Sequence, residues 1–308
     1  MAERVPAIEI EDLTVVYKRG LGRRDLVAVD GLNLQVNPGE VVGFIGPNAA
    51  GKSTTIKTLM GFILPTNGRV RVLGAEAGSI EAKRRTGYLP EVALYYPFMK
   101  ASEILTMYGQ LMGMQGQTLR QTVEQVLALV GLEEWATVQL KKFSKGMLQR
   151  IGIGQAIMGN PDLLILDEVT SGLDPVGRRD LREILLRFKH DGKTIFFSSH
   201  ELSEVALICD RIIIIDAGKV IEEKCIGDLL LSLNKFHLIF KSEALPDDFS
   251  FPCKQIKADL YRIDIREDDK PVDILRRLIE ANYEIVEFAS DSLSLEDYFV
   301  NVVGRKVT

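Results

Sequence analysis

The sequence contains few cysteines and histidines and no long apolar run. It has three cysteines and three histidines among 308 residues. Cys209, Cys225 and Cys253 lack the paired spacing of a zinc site, so we interpret them as small buried hydrophobic residues in a reducing compartment. No apolar run reaches the roughly 18 residues that a membrane span requires. Residues 1–11 also lack the pattern of a signal peptide, so we expect a protein that lies outside the lipid.

An excess of positive charge is also missing. The chain has 38 lysines and arginines against 43 aspartates and glutamates, which gives a formal net charge of −5. Such a balance does not favour an extended basic face, so nucleic acid is not an expected partner. The length and the hydrophobic content of 46% predict a globular protein with two folded units.

A phosphate-binding loop is the clearest motif that is present. Residues 46–54 read GPNAAGKST and match G-x-x-x-x-G-K-[ST] at every fixed position. An apolar strand is predicted before this loop and a helix after it, which is the context that such a loop needs. The alternative is a chance glycine-rich turn. The residues expected to bind nucleotide here are Gly46, Pro47, Asn48, Ala49, Ala50, Gly51, Lys52, Ser53 and Thr54.

The remaining pattern predicts an α/β fold with a smaller second unit. Alternating strands near 8–17 and 27–36 form an antiparallel sheet that leads into the phosphate-loop strand. A helical insertion occupies 102–130. Apolar strands at 163–166, 194–197 and 211–215 then alternate with helices, which indicates a parallel sheet covered on both faces. The composition changes near Gly227, and a small α+β appendage is predicted beyond it.

Three further segments carry polar residues at places suited to chemistry. Asp167 and Glu168 end the apolar strand 163–166, where carboxylates are costly unless they act on a cation or water. His200 follows the strand 194–199; by itself such a histidine would be an ordinary satisfied polar residue. The segment FSKGM places Ser144 and Gly146 at a predicted helix start, where a serine and a glycine suit an approaching phosphate.

Taken in order, these motifs resemble the ATP-binding subunit of an ABC transporter. The resemblance covers residues 8 to about 227: phosphate loop, Q-loop position, signature, Walker B, D-loop and H-loop. It implies a P-loop NTPase core, an ABC ATPase domain over 1–227, with antiparallel β and helical subdomains, the latter at about 92–160. The region 228–308, with the phrase SLEDYF near its end, looks like the accessory domain of bacterial exporter subunits.

The resemblance also implies residue roles. Glu168 would be the general base, His200 would contact the γ-phosphate and Lys52 would reach the β- and γ-phosphates of ATP. Mg²⁺ would be held by Ser53 and Asp167, with Glu91 approaching it from the position where the family usually has a glutamine. Tyr17 would stack on adenine, although an ordinary strand tyrosine is the alternative.

Other implied roles involve a second subunit. Ser144 and Gly146 would complete the site of the other subunit, and Asp174 belongs to the D-loop that connects the paired sites. The resemblance therefore implies a homodimer, or paired ATPase subunits, with ATP at the interface. Three positions depart from the usual family pattern without removing a fixed residue: Ala49, Lys145 and Val169. Ala49 would cost about 1–2 kcal/mol if its φ were positive.

The function that we expect is ATP binding and hydrolysis that powers export through a separate polytopic membrane permease. The subunit would be cytoplasmic and peripheral on the inner face of the cell membrane. Residues 91–98, with Tyr95, Tyr96 and Phe98, are the predicted dock for a permease helix; ordinary packing within the helical insertion is the alternative. The competing functions are a soluble ABC ATPase that acts on ribosomes or DNA, and a regulator that binds ATP without hydrolysing it. Co-purification with a membrane partner separates the first, and phosphate release separates the second.

Overall fold

The computed structural model describes residues 5–18, 24–199, 202–242, 251–265, 271–292 and 295–304. The chain divides into two compact units, Met1–Ile226 and Gly227–Thr308.

The larger unit contains two β-sheets and seven α-helices among its described residues. Its strands are β1 (Ile8–Tyr17), β2 (Leu26–Val36), β3 (Val41–Ile45), β4 (Asn67–Val72), β5 (Ala75–Glu76), β6 (Thr86–Leu89), β7 (Leu163–Leu166), β8 (Thr194–Ser199), β9 (Arg211–Asp216) and β10 (Lys219–Cys225). Its helices are α1 (Lys52–Leu59), α2 (Ile80–Arg84), α3 (Ala101–Leu111), α4 (Gly116–Leu129), α5 (Lys145–Ile157), α6 (Pro175–His190) and α7 (Leu202–Ile208).

The central sheet has six strands in the order β10-β9-β3-β8-β7-β6. All neighbouring pairs are parallel except β10 with β9. Every residue of β3, β7 and β8 is buried, as expected for a parallel sheet covered on both faces. The carboxyl ends of β3 and β7 therefore meet at one edge of the sheet, where the phosphate loop and the acidic pair follow them. The predicted α/β fold is confirmed.

The second sheet of this unit has the order β2-β1-β4-β5 and its paired strands are antiparallel. Strand β1 buries Ile8, Ile10, Leu13 and Val15, and these side chains join a hydrophobic core that also contains Phe44 of β3. The apolar residues of β1 thus hold the antiparallel sheet against the central sheet, close to the phosphate loop.

The helical insertion, predicted over 102–130, consists of two helices, α3 and α4. Gly113 interrupts it with a φ of 87°, a conformation that favours glycine. Helix α3 packs on α4 and both contact α5. Gly109 lets α3 and α4 approach closely, since a Cβ at this position would lie 2.3 Å from Leu119 Cδ1.

The smaller unit contains a four-stranded antiparallel sheet and three helices among its described residues. Its elements are α8 (Ile226–Leu233), β11 (Asn234–Lys241), β12 (Cys253–Lys257), β13 (Leu260–Ile265), α9 (Pro271–Glu280), β14 (Glu284–Ser292) and α10 (Leu295–Gly304), and the strand order is β12-β13-β11-β14. The core joins Leu238 and Phe240 of β11 to Ile263 of β13 and to Ile274 and Leu278 of α9.

Two expectations about buried residues are wrong. The sequence spacing of Leu275, Leu278 and Ile279 predicts that they share one packed face of a helix, but the Ile279 side chain is 61% exposed. It follows Leu278 by one helical position, which rotates it away from the sheet. Cys225 was predicted to be buried and is exposed at the end of β10, an edge strand, whereas Cys209 is buried.

Candidate active site

The phosphate loop leaves the end of β3 and delivers the chain to the first turn of α1. Gly51 precedes this helix with a φ of 109°, which an L side chain rarely adopts. Gly46 has no room for a side chain, because a Cβ there would lie 2.3 Å from the Ile215 carbonyl oxygen. The loop is therefore pressed against β9, and its fixed glycines follow from that close packing. Ala49 has a φ of 64°, so the condition for strain at this position is met.

Lys52 is the first residue of α1, and its ammonium group is almost fully buried. Its Nζ donates to the carbonyl oxygen of Gly46 at 2.6 Å and to that of Pro47 at 3.2 Å. The same atom lies 3.2 Å from Glu168 Oε1. The lysine is thus placed between the backbone of the phosphate loop and the carboxylate at the end of β7.

Asp167 and Glu168 are buried directly after β7, with exposures of 2% and 8%. Asp167 Oδ1 accepts hydrogen bonds from Ser198 Oγ at 2.7 Å and from Ser53 Oγ at 3.3 Å. The backbone N–H of Glu168 donates to the same Ser198 oxygen at 2.8 Å. Glu168 has a φ of 50°, which is uncommon for a residue with a side chain. The two carboxylates are therefore held by specific contacts and do not project into solvent.

The donor atoms beside the phosphate loop are chemically suited to Mg²⁺. Ser53 Oγ and Asp167 Oδ1 are hard oxygen donors 3.3 Å apart. No group of three or more histidine, cysteine, aspartate or glutamate side chains that could hold a metal occurs among the described residues.

A cavity of about 470 Å³ opens above the loop. Tyr17 forms part of its wall, and its hydroxyl lies 3.4 Å from Thr54 Oγ1. Among the residues predicted to bind nucleotide or to act in catalysis, the cavity is lined by Tyr17, Pro47, Asn48, Ala49, Ala50, Gly51, Lys52, Ser53, Thr54, Glu91 and Glu168. Gly46 and Asp167 lie behind this lining and contact Lys52 and Ser53 respectively.

Three further predicted residues, Ser144, Gly146 and Asp174, do not line this cavity either. Ser144 begins α5 and its hydroxyl accepts from the Met147 N–H at 3.2 Å. Asp174 begins α6 and accepts from the Gly177 N–H at 2.8 Å. Gly146 lies near Leu173, since a Cβ on this glycine would be 3.7 Å from Leu173 Cδ2. The starts of α5 and α6 therefore adjoin each other outside the cavity lining of their own chain. His200 lies outside the described residues.

Several residues of the site were not predicted from the sequence. The first three residues of β2, Leu26 to Ala28, line the cavity, and so does Ser171 at the start of the predicted D-loop. Ser198 contacts both acidic residues, and two adjacent serines in the apolar strand TIFFSS were a signal that could have located it. Burial and, secondarily, the charge of Asp167 raise the pKa of Tyr88 to about 12, so this phenol stays neutral beside the site.

In the segment 91–98, one aromatic side chain is packed within the helical insertion and the other two are exposed. Tyr95 packs inside the helical insertion, where its hydroxyl donates to Gln155 Oε1 at 3.0 Å and burial raises its pKa. The prediction that Tyr95 belongs to an exposed dock is therefore wrong. Tyr96 and Phe98 are exposed and lie 5.7 Å apart between ring centroids. Val92 and Leu94 are also exposed, at 68% and 89%.

Comparison with known proteins gives concordant matches. The family described as "ABC transporter" matches residues 29–171. An uncharacterized ABC transporter ATP-binding protein of Nostoc sp. PCC 7120 is 37% identical over 306 residues, covering 96% of this chain and 90% of that protein. The bacitracin transport ATP-binding protein BcrA of Bacillus licheniformis is 33% identical over 309 residues, covering 96% and 97%. The dimeric post-hydrolysis structure of the cassette MJ0796 bound to ADP and Pi has a TM-score of 0.65 and 25% identity, covering 71% of this chain and 98% of that one.

Proposed function

Because the chain belongs to the ABC transporter ATP-binding proteins and is an ATP-hydrolysing subunit of such a transporter, we propose that it powers export through a separate membrane permease. The observation that carries the site assignment is the convergence of Lys52, Asp167 and Glu168 on one cavity edge. A lysine for phosphate and two carboxylates for metal and water are the groups that phosphoryl transfer to water requires.

In this proposal Glu168 is the general base of hydrolysis. It would accept a proton from the water that attacks the γ-phosphate, while Lys52 stabilises the charge on the phosphate oxygens. Bound Mg²⁺ would neutralise the β- and γ-phosphates and would be held by Ser53 and Asp167, with Glu91 at the cavity wall nearby. Tyr17 would stack on the base. His200 is proposed to contact the γ-phosphate on the family pattern alone.

Pairing of two subunits is proposed to complete each site. Ser144, Gly146 and Asp174 lie at the starts of α5 and α6, outside the cavity of their own chain. The first turn of each of these helices carries N–H groups and a positive dipole end, which suits the phosphate of a nucleotide bound to another copy. This placement supports a homodimer, or a pair of ATPase subunits, with ATP at the interface.

The proposed permease contact uses the exposed part of segment 91–98. Tyr96 and Phe98 present aromatic side chains, and Val92 and Leu94 add apolar surface. An amphipathic helix of a membrane protein binds such a surface through its own apolar face. No helix among the described residues is long and apolar enough to cross a membrane. We therefore propose a peripheral position on the cytoplasmic face, with the permease supplying the path for the exported molecule.

Co-expression with the permease tests this function. The double variant Tyr96→Ser, Phe98→Ser should lose co-purification and permease-stimulated ATP hydrolysis, while the isolated subunit hydrolyses ATP at the wild-type rate. The control variant Leu186→Ser, Leu207→Ser changes two exposed leucines on α6 and α7 and should retain both properties. Hydrolysis stimulated by ribosomes or DNA, with no membrane partner recovered, would instead favour the soluble alternative.

A further inference from the structure

We propose that Ser198 is a positioning residue for ATP hydrolysis, because one hydroxyl group holds both Asp167 and the backbone of Glu168. The inference rests on the proposed roles of these two acidic residues. Ser198 is the fifth residue of β8 and is fully buried, with 0% exposure. Ser198 itself does not line the cavity, whereas its partner Glu168 does.

The register of the parallel sheet brings Ser198 to the acidic pair. Leu166 of β7 pairs with Phe197 of β8, so the next residue on each strand, Asp167 and Ser198, face each other where β7 ends. The distance of 2.7 Å between Ser198 Oγ and Asp167 Oδ1 is that of a strong hydrogen bond to a carboxylate.

The chemistry of the three groups decides which of them donates each hydrogen bond. A serine hydroxyl has one hydrogen to donate, and an ionised carboxylate can only accept. The hydrogen of Ser198 therefore goes to Asp167, and a lone pair of the same oxygen accepts the Glu168 N–H at 2.8 Å. Because Glu168 has a φ of 50°, this bond also stabilises a backbone conformation that side-chain-bearing residues rarely adopt. Movement of either acidic residue would break a bond to the same oxygen.

Ser53 is the other donor to Asp167 Oδ1, at 3.3 Å. A hydroxyl that ligates Mg²⁺ presents its oxygen to the metal, and so Ser53 has two competing tasks in the proposed site. Ser198 has no such second task, because it lies behind Asp167 and away from the cavity. It can keep the carboxylate oriented while Ser53 serves the metal. This predicts an effect of Ser198 on the Mg²⁺ requirement and on turnover, with little effect on the nucleotide-binding loop.

The test compares Ser198→Ala with a matched variant, Thr194→Val. Thr194 also lies in β8, is 3% exposed, and its hydroxyl accepts one backbone N–H, from Gly39 at 2.9 Å. Each variant thus removes a buried hydroxyl of the same strand that accepts one backbone N–H, but only Ser198 also donates to an acidic residue of the site. Binding of a fluorescent ATP analogue is measured during a Mg²⁺ titration, and turnover is measured at saturating ATP and Mg²⁺.

We expect Ser198→Ala to raise the Mg²⁺ concentration for half-maximal binding and to lower turnover, each by about 10- to 100-fold, the scale for losing a hydrogen bond to a charged group. Metal-free nucleotide affinity should be unchanged. Ser198→Thr retains the hydroxyl and should recover most of both losses. Thr194→Val should lower resistance to urea without changing the Mg²⁺ requirement. If Ser198→Ala does not fold, Ser198→Cys, which has similar size and a weak donor, takes its place.

A normal Mg²⁺ requirement and normal turnover in the folded Ser198 variant would overturn the inference. An equal shift in Thr194→Val would also overturn it, because the effect would then come from general loosening of β8. Glu168→Gln is measured in parallel: if that variant hydrolyses ATP normally, the proposed role of Glu168 fails, whatever Ser198 does. A failure of the present inference is recognised by an inactive Glu168→Gln together with a normal Ser198→Ala.

Discussion

The ammonium group of Lys52 lies 3.2 Å from Glu168 Oε1, within one chain and almost out of contact with solvent. The same ammonium donates to the carbonyl oxygens of Gly46 and Pro47, so its three hydrogens all have acceptors. A phosphate oxygen can bind Lys52 only by replacing at least one of them. If the phosphate oxygen displaces the Glu168 carboxylate from Lys52, that carboxylate becomes free to accept a proton from water when the γ-phosphate is in place.

Changing Glu168 to Gln should therefore separate binding from hydrolysis. Turnover should fall by at least about 100-fold, the scale for losing a general base, while ATP still binds. An ATP-bound dimer should also persist, as detected by size-exclusion chromatography. The control is Glu183→Gln, which makes the same change of charge at an exposed position of α6. Phosphate release near the wild-type rate in Glu168→Gln would remove Glu168 from its proposed role.

Mixed dimers should reveal whether Ser144 serves the other subunit. Subunits with Ser144→Arg are combined with subunits carrying Lys52→Ala, and bound ATP per dimer is measured. If each site uses Lys52 of one chain and Ser144 of the other, the mixed dimer has one site with both defects and one intact site. It should therefore bind about one ATP, and each pure variant dimer should bind less. Equal loss in mixed and pure dimers would indicate that Ser144 acts within its own chain.

Replacing Ala49 with Gly should stabilise the protein. Ala49 has a φ of 64°, and relief of this conformation outweighs the added freedom of the unfolded chain, for a gain of about 0.5–1 kcal/mol. The measurement is the free energy of unfolding in urea. Ala50→Gly is the control: Ala50 is 2% exposed and its φ is not positive, so this change should destabilise. Stabilisation by both changes, or by neither, would contradict the argument.

Stopping the chain after Gly227 should preserve nucleotide binding. The division into Met1–Ile226 and Gly227–Thr308 leaves every residue that lines the cavity in the larger unit. We propose that the smaller unit strengthens subunit pairing or permease contact and does no chemistry, so the truncated chain should bind ATP with similar affinity but dimerise or bind the permease more weakly. Titration of nucleotide and analytical ultracentrifugation of both chains provide the comparison. Loss of ATP binding by a folded truncated chain would place the smaller unit in the site.

Acid should weaken the ion pair between Glu40 and Arg211, which lies at the amino ends of β3 and β9, opposite the candidate active site. Burial acts to raise the pKa of Glu40, but hydrogen bonds from Arg211 and from the Asn37 N–H outweigh it, so the pKa is lowered from 4.5. Arg211 binds both oxygens of Glu40, at 2.6 and 2.8 Å. A lowered folded-state pKa stabilises the protein fully above the unfolded pKa, and this contribution is lost as the pH falls through the folded pKa.

The pH profile of unfolding measures this contribution. The wild type should lose stability as the pH falls below about 4.5, and Glu40→Gln should lose less stability over the same pH range. At pH 7 the variant should be about 1–3 kcal/mol less stable, the scale for a hydrogen bond to a charged group. Glu76→Gln, at an exposed position of β5, is the control. Parallel pH profiles for wild type and Glu40→Gln would refute the assignment.

The features that the sequence predicted well depend on neighbouring residues in the chain. The phosphate loop is a backbone conformation set by Gly46, Gly51 and the strand and helix on either side. The acidic pair was found because Asp167 and Glu168 directly follow an apolar strand. In each case the chemical groups and the structural context lie within a few residues of each other.

The features that were missed depend on contacts between distant segments. Ser198 meets Asp167 only through the register of β7 against β8, which no local pattern specifies. Tyr95 and Tyr96 are adjacent and equally aromatic, yet one bonds Gln155 of α5 and the other is exposed. Ile279 differs from Leu278 only by its rotation about the axis of α9. Burial of this kind is decided by packing partners that the chain acquires on folding.

The positive φ of Glu168 and its ion pair with Lys52 act in opposite directions on the stability of the protein. Glycine adopts this conformation without the penalty of about 1–2 kcal/mol that a side chain incurs. Replacing Glu168 with glycine would thus relieve the backbone while deleting the carboxylate. The same change would leave the buried ammonium group of Lys52 without its carboxylate partner, a loss of about 3–5 kcal/mol that exceeds the backbone relief. Mutagenesis that aims to raise the thermal stability of this enzyme should therefore leave position 168 unchanged.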